Sequence, residues 1–259
     1  MQCRKSLFRV KAAVLALVVA GVAGSGVRSA DAAPVPLPAN ATLSTLIGLN
    51  GTGGVQVGNF VYSDFSYTPT TFNPSNPTPT AGQVSVTTAS GPFGTSTGLT
   101  FNTIWESIPG GNQDAIIRYA VQAVSGTVNG IGLAFNGVTP LAAAGTFATV
   151  TETVSTLVTQ NGLAVGPGTI LGNLSVFNNA PSGTGTNSGP LMLTPGQPGI
   201  YVSKDIAVVS SATSGIATIS FVDNTYQYVP GGPVPEPASL SVLGIAAFGM
   251  LSRRRRVQL

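Results

Sequence analysis

The stretch from residue 116 to 124 has the sequence IIRYAVQAV, and it decides the fold class. It alternates apolar with polar side chains, with Ile117, Tyr119, Val121 and Ala123 on one face and Arg118 and Gln122 on the other. A period of two is typical of a β-strand that buries one face and exposes the other. The stretch therefore predicts a half-buried strand.

Similar short segments recur along the chain and are separated by Gly, Asn and Ser. We predict strands at residues 56–62, 83–88, 99–102, 116–124, 130–135, 146–154, 169–177, 200–209 and 216–222. About nine strands in roughly 190 residues suit one antiparallel sandwich or jelly roll, so the predicted fold class is all-β. Helix is expected within this region only as a turn or two at residues 43–49. The proline-rich patch at residues 68–80 is expected to be an exposed loop, because its prolines forbid a central strand.

Charge is distributed unevenly along the chain. Nine of the eleven basic residues lie near the two ends, whereas residues 33–234 contain only Arg118 and Lys204. The same stretch holds six acidic residues, which gives this part a net charge of −4. A mildly acidic body cannot neutralise a row of phosphates, so nucleic-acid binding is excluded as a function.

The residue types that most enzymes and metal sites use are missing. The chain has no histidine, and its one cysteine, Cys3, lies in a segment that we expect to be removed. This excludes the usual nucleophile triads, zinc and copper sites and disulfides in the mature chain. The string GTSTG at residues 94–98 matches a hydrolase pattern but has no histidine base, so we interpret it as a turn. We therefore predict a protein that is not an enzyme and has no catalytic residues, metal or cofactor.

Two hypotheses with binding or catalytic function remain open. An exposed Trp105 beside Glu106 would suit a carbohydrate-binding surface, since a ring face packs on sugar C–H bonds, although a core tryptophan is commoner. An acid-pair glycosidase would need two carboxylates facing each other across a cleft. The candidates are Asp64, Glu106, Asp114, Glu152, Asp205 and Asp223.

Thr149, Thr151 and Thr153 also alternate on one strand face, as in a polysaccharide-facing ladder, although β-propensity alone explains such a pattern.

The N-terminus has the three parts of a secretory signal peptide. Basic residues at positions 4–11 precede an apolar run at residues 12–24, and Ala30-Asp31-Ala32 forms a small-residue cleavage site before the proline-rich segment. The apolar run of about 13 residues is too short for a permanent membrane helix. We predict a signal helix that directs export by the Sec machinery and is removed by signal peptidase after Ala32.

The C-terminus has a second short apolar segment. Pro235, Glu236 and Pro237 precede an apolar run at residues 238–251, and a cluster of four arginines follows, namely Arg253, Arg254, Arg255 and Arg256. As a helix the run would be about 21 Å long, which is marginal for crossing a hydrocarbon core of about 30 Å. The arginines would stay on the cytoplasmic side by the positive-inside rule, which leaves the body outside.

This tail resembles the PEP-CTERM sorting tail of exported bacterial proteins. The resemblance implies that Pro235, Glu236 and Pro237 are the recognition motif of an exosortase-type processing enzyme. It also implies that residues 238–251 are a transient transmembrane anchor and Arg253 to Arg256 a stop signal. Residues 57–60, 63–67, 98–101, 117–119, 202–206 and 217–221 are similar to segments of other PEP-CTERM ectodomains. Most such ectodomains have no assigned function, so this second resemblance implies only a β-rich fold.

The expected organisation follows from these features. It comprises a signal peptide at residues 1–32, a proline-rich leader at 33–42 and a β-rich ectodomain at 43–229. A Pro/Gly spacer at 230–234 and the sorting tail at 235–259 follow. We expect insertion in the inner membrane before processing, and a place at the cell surface or outside the cell afterwards. The expected role is that of a surface or extracellular-matrix protein associated with exopolysaccharide.

Overall fold

A computed structural model of the protein describes residues 33–231, apart from residues 74, 92–96, 140–143, 161–162, 180–182, 187–189 and 212–214. The predicted signal peptide and sorting tail, with Ala30, Ala32 and residues 235–259, lie outside this described part. Within it, no helix combines the length and apolar character needed to cross a bilayer.

The described part contains one short helix and thirteen strands. Helix α1 is Leu43–Gly48. The strands are β1 Val35–Pro36, β2 Val55–Val57, β3 Phe60–Thr71, β4 Ser85–Ser90, β5 Thr97–Ser107, β6 Asn112–Ala123, β7 Thr127–Val138, β8 Phe147–Gln160, β9 Leu163–Asn179, β10 Gly183–Thr186, β11 Leu191–Gln197, β12 Gly199–Val209 and β13 Ala217–Val229.

The strands form two sheets that pack face to face as a sandwich. The large sheet has the strand order β1-β2-β3-β6-β12-β8-β9-β10, and the small sheet has the order β11-β7-β13-β5-β4. All pairs are antiparallel except β1 with β2. The predicted all-β antiparallel sandwich is thus confirmed.

Alternating side chains from both sheets fill the core. Members that are fully buried include Phe60, Tyr62, Leu99, Phe101, Trp105, Ile117, Tyr119, Val202, Ile219 and Tyr226. Helix α1 adds Leu43 and Leu46 to this core. Its N-cap is Thr42, whose Oγ1 accepts a hydrogen bond of 3.2 Å from the backbone N–H of Thr45. The short helix expected at residues 43–49 is therefore present.

The proline-rich patch is only partly the loop that we predicted. Strand β3 continues to Thr71 and includes Pro69, which pairs with Ala115 of β6. Strand β2 covers the other side of β3 only at residues 60–62. Pro69 therefore lies where β3 has a single neighbour, and its missing N–H costs no hydrogen bond of the ladder.

Candidate functional site

The outward face of the large sheet carries two rows of mostly polar residues across five strands. The first row joins Ser66, Arg118, Ser203, Thr153 and Asn173, and the second joins Thr68, Ile116, Asp205, Thr151 and Ser175. We call these ten positions the outer polar face. Their neighbours along each strand, such as Glu152 and Lys204, point into the core. Two residues of the threonine ladder seen in the sequence, Thr151 and Thr153, thus belong to a two-dimensional array, and Thr149 lies next to it on the same strand face.

Two carboxyl groups meet at this face. Asp205 of β12 and Asp114 of β6 are diagonal neighbours, and their side chains are hydrogen-bonded. Burial, followed by this hydrogen bond and the like charge of Asp114, raises the pKa of Asp205 to about 6. Glycosidases hold their carboxyl groups about 5 Å or more apart so that a sugar or water fits between them. This pair in direct contact does not have that geometry.

The acid pair predicts a pH-dependent stability. A carboxyl group whose pKa is higher in the folded state stabilises the fold below about pH 4, and this contribution is lost as the pH rises through about 6. We therefore expect the melting temperature of Asp205→Asn, relative to the wild type, to increase between about pH 4 and pH 7. Calorimetry over this range measures the difference. A Ser203→Asn variant should show a constant difference, and a flat profile for Asp205→Asn would contradict the prediction.

A third acid occupies another part of the same face. Asp64 lies at the irregularity between Ser63 and Ser66 in β3, with a φ of 54°, a left-handed conformation that Asp tolerates. Burial raises the pKa of Asp64, and a hydrogen bond from the Tyr201 hydroxyl partly offsets this. The pKa of Tyr201 is raised by burial and by Asp64, whereas nearby Arg118 lowers it. These three side chains form a small hydrogen-bonded and charged cluster that includes Arg118 of the first row.

The structure places Trp105 in the core. Its exposure is 0%, and its indole lies beside the hydroxyl of Tyr67. No ring face is therefore open to a sugar, which removes the basis for a binding surface built on Trp105. Because side chains alternate along β5, neighbouring Glu106 is only partly buried, on the opposite face of the strand. Trp105 and Glu106 therefore do not form the expected pair, because Trp105 lies in the core and Glu106 lies on the outside of the small sheet.

A buried polar cluster, not anticipated from the sequence, lies between the sheets. Lys204 of β12 stands directly opposite Glu152 of β8, and Asn224 of β13 reaches them from the small sheet. Lys204 Nζ contacts Glu152 Oε2 and Asn224 Oδ1. Asn224 Nδ2 donates to Glu152 Oε1 at 3.1 Å and to the carbonyl of Gly132 at 3.3 Å. All three side chains have an exposure of 0%.

Two tyrosines extend this cluster. Tyr119 Oη donates to Asn224 Oδ1 at 2.9 Å and is 2.8 Å from Tyr226 Oη. Burial, followed by the charge of Glu152, raises the pKa of Tyr119, so its hydroxyl keeps its proton. Burial lowers the pKa of Lys204, and contact with Glu152 opposes that change. The cluster thus combines an amine, a carboxyl group, an amide and hydroxyls in a site that excludes water.

The remaining carboxylates are dispersed. Asp223 pairs with Thr100 and Ala134 in the small sheet, and Glu106 pairs with Thr218 further along. In the part of the chain that the structure describes, no three His, Cys, Asp or Glu side chains come together as a metal site would require.

By its fold, the protein is an all-β sandwich. Residues 233–256 match the PEP-CTERM protein-sorting motif, so the chain carries this motif. The motif implies export toward the cell surface or the extracellular space and processing by an exosortase-type enzyme. No curated protein matches the chain.

Two solved structures show distant similarity. One is TmCBM61 in complex with beta-1,4-galactotriose, at 10% identity, covering 64% of this chain and 90% of that one, with a TM-score of 0.29. The other is the enzymatically active domain of bacteriophage CBA120 tailspike protein 4, at 16% identity, covering 61% of this chain and 19% of that one, with a TM-score of 0.22. Alignments at these scores do not establish a shared fold.

Proposed function

We propose that the protein is a non-enzymatic structural component of the cell surface or extracellular matrix, which associates with exopolysaccharide through the outer polar face. The observation that supports this is the array of hydroxyl, amide and charged side chains across five neighbouring strands. The sorting motif supports this proposal, because it implies export toward the cell surface or the extracellular space.

The spacing of the array suits a long hydroxyl-rich polymer. Neighbouring strands are about 4.8 Å apart, and residues on one face of a strand repeat about every 6.8 Å. Thr151, Ser203 and Asn173 therefore present donors and acceptors at short, regular intervals. Many weak polar contacts along an extended chain can together hold a polymer without a deep pocket.

A pair of matched substitutions tests the proposed face. Thr151→Arg places a long charged side chain in the array, whereas Thr218→Arg makes the same change on the outside of the small sheet. We expect wild type and Thr218→Arg to sediment with exopolysaccharide from the producing cells, and Thr151→Arg to bind at least about tenfold more weakly. Circular dichroism verifies that both variants fold. Equal binding by the two variants, or no binding by the wild type, would reject this function for the face.

A further inference from the structure

Lys204, Glu152 and Asn224 meet in an arrangement that matches the needs of a condensation reaction. We infer that Lys204 and Asn224 form an intramolecular amide bond between their side chains, with Glu152 moving the protons and ammonia as the leaving group. The amine contacts the amide carbonyl oxygen, and the carboxyl group touches both partners through different oxygen atoms. The fold thus holds all three groups in contact with one another.

The environment makes Lys204 a suitable nucleophile. Only the neutral amine can attack, and full burial disfavours the ammonium form. Glu152 Oε2 is in contact with Nζ and can accept its proton. Proton transfer leaves a neutral amine and a carboxylic acid, which carry no net charge in a site shielded from water.

The amide of Asn224 is held as the electrophile. Tyr119 Oη donates to Oδ1 at 2.9 Å, where negative charge develops when the carbonyl is attacked. Glu152 Oε1 accepts from Nδ2 at 3.1 Å, which is the nitrogen that must leave. The carbonyl oxygen and the departing nitrogen therefore each have a partner suited to their role.

The reaction balances without an oxidant or any other reactant. The Nζ lone pair attacks Cγ of Asn224, and the carbonyl electrons move to Oδ1. Glu152 delivers its proton to Nδ2 and takes one from the attacking nitrogen. The Cγ–Nδ2 bond then breaks, ammonia leaves and the Cγ–Nζ amide remains. Proximity replaces an external catalyst, because the fold fixes both reactants.

The bond would join the two sheets through interior strands. Strand β12 lies between β6 and β8 in the large sheet, and β13 lies between β7 and β5 in the small sheet. A noncovalent buried ion pair is the alternative role of the same residues, since such pairs also occur without any reaction. Only covalent analysis separates the two.

The first test is the intact mass of the mature wild-type protein from producing cells. We expect it to be about 17 Da lower, or one ammonia, than the sequence between its measured termini predicts. After denaturation, trypsin should cut at Arg118 but not at Lys204, the only other tryptic site in residues 33–231. Cleavage after Asp and Glu should leave residues 153–205 joined to the fragment that begins at Asn224.

Other outcomes would overturn the inference. A measured mass equal to the mass calculated from the sequence, with full trypsin cleavage after Lys204, would show that no amide bond forms and that Lys204 and Glu152 are a noncovalent ion pair. A loss of about 18 Da, or one water, would place the bond on Glu152 instead of Asn224. An ammonia loss with normal cleavage at Lys204 would indicate a backbone succinimide at an asparagine instead of a bond between Lys204 and Asn224.

Two variants test the assigned roles. Glu152→Gln keeps the size of the side chain and removes the proton carrier, so we expect unlinked protein with trypsin cleavage at Lys204. Asn224→Asp keeps an electrophilic carbon and is expected to give the same linked product, by loss of water. If Glu152→Gln is fully linked, Glu152 does not move the protons. If either variant fails to fold, the wild-type mass and digest remain decisive.

Discussion

Replacing Glu152 with alanine is expected to lower the free energy of unfolding by about 3–5 kcal/mol. Lys204 would then be buried without its anionic partner, and Asn224 Nδ2 would lose one of its two acceptors. The variant would also lack the group that we infer to move protons, so Lys204 would stay a free amine. Urea unfolding followed by tryptophan fluorescence measures the change, because Trp105 is the only tryptophan.

Two further variants make this prediction specific. Thr153→Ala changes the next residue of β8 on the outward face and should cost far less. The double variant Lys204→Met/Glu152→Leu removes both charges, so it should recover the part of the lost stability that comes from an unpaired buried Lys204, but not the part that comes from a missing Lys204–Asn224 bond. A Glu152→Ala variant as stable as Thr153→Ala would show that the buried pair contributes nothing to the fold.

Replacing Pro235, Glu236 and Pro237 with alanine is expected to abolish C-terminal processing. The match to the sorting motif at residues 233–256 supports the expectation that the processing enzyme recognises this tail. Intact mass of protein recovered from cells and medium should show wild type without either terminus, whereas the variant should keep the residues up to Leu259.

A matched change outside the motif provides the control. Pro230→Ala with Pro233→Ala alters the neighbouring spacer by the same kind of substitution and should leave processing intact. A complete C-terminal tail in both the wild type and the triple-alanine variant would mean that the protein stays anchored by its C-terminus and is not sorted.

The fold class was predictable because alternation is a local property. The pattern at residues 116–124 corresponds to strand β6, whose inward residues Ile117 and Tyr119 are fully buried. Strands β10 and β11 were missed, since residues 183–197 are rich in Gly, Thr and Pro and show no alternation. These segments are strands because β10 pairs with β9 and β11 pairs with β7. A local sequence pattern does not contain such long-range pairing.

The buried cluster was missed for a related reason, although a signal was present. Glu152 lies between Val150 and Val154, and Lys204 lies between Val202 and Ile206, so both charges occupy apolar positions of an alternating strand. Such a charge requires a partner in the core. The strand register sets Lys204 opposite Glu152, and the packing of the two sheets brings Asn224 to them. Both depend on tertiary structure, which a local sequence pattern does not reveal.

The place of β13 has a mechanical consequence. This strand ends at Val229, six residues before Pro235, and it is hydrogen-bonded on both sides over most of its length. A force applied to the C-terminal end of β13 along the strand axis would load both hydrogen-bond ladders in shear instead of breaking them one bond at a time. A protein tethered through this end would therefore carry tension through a strand that is supported on both sides.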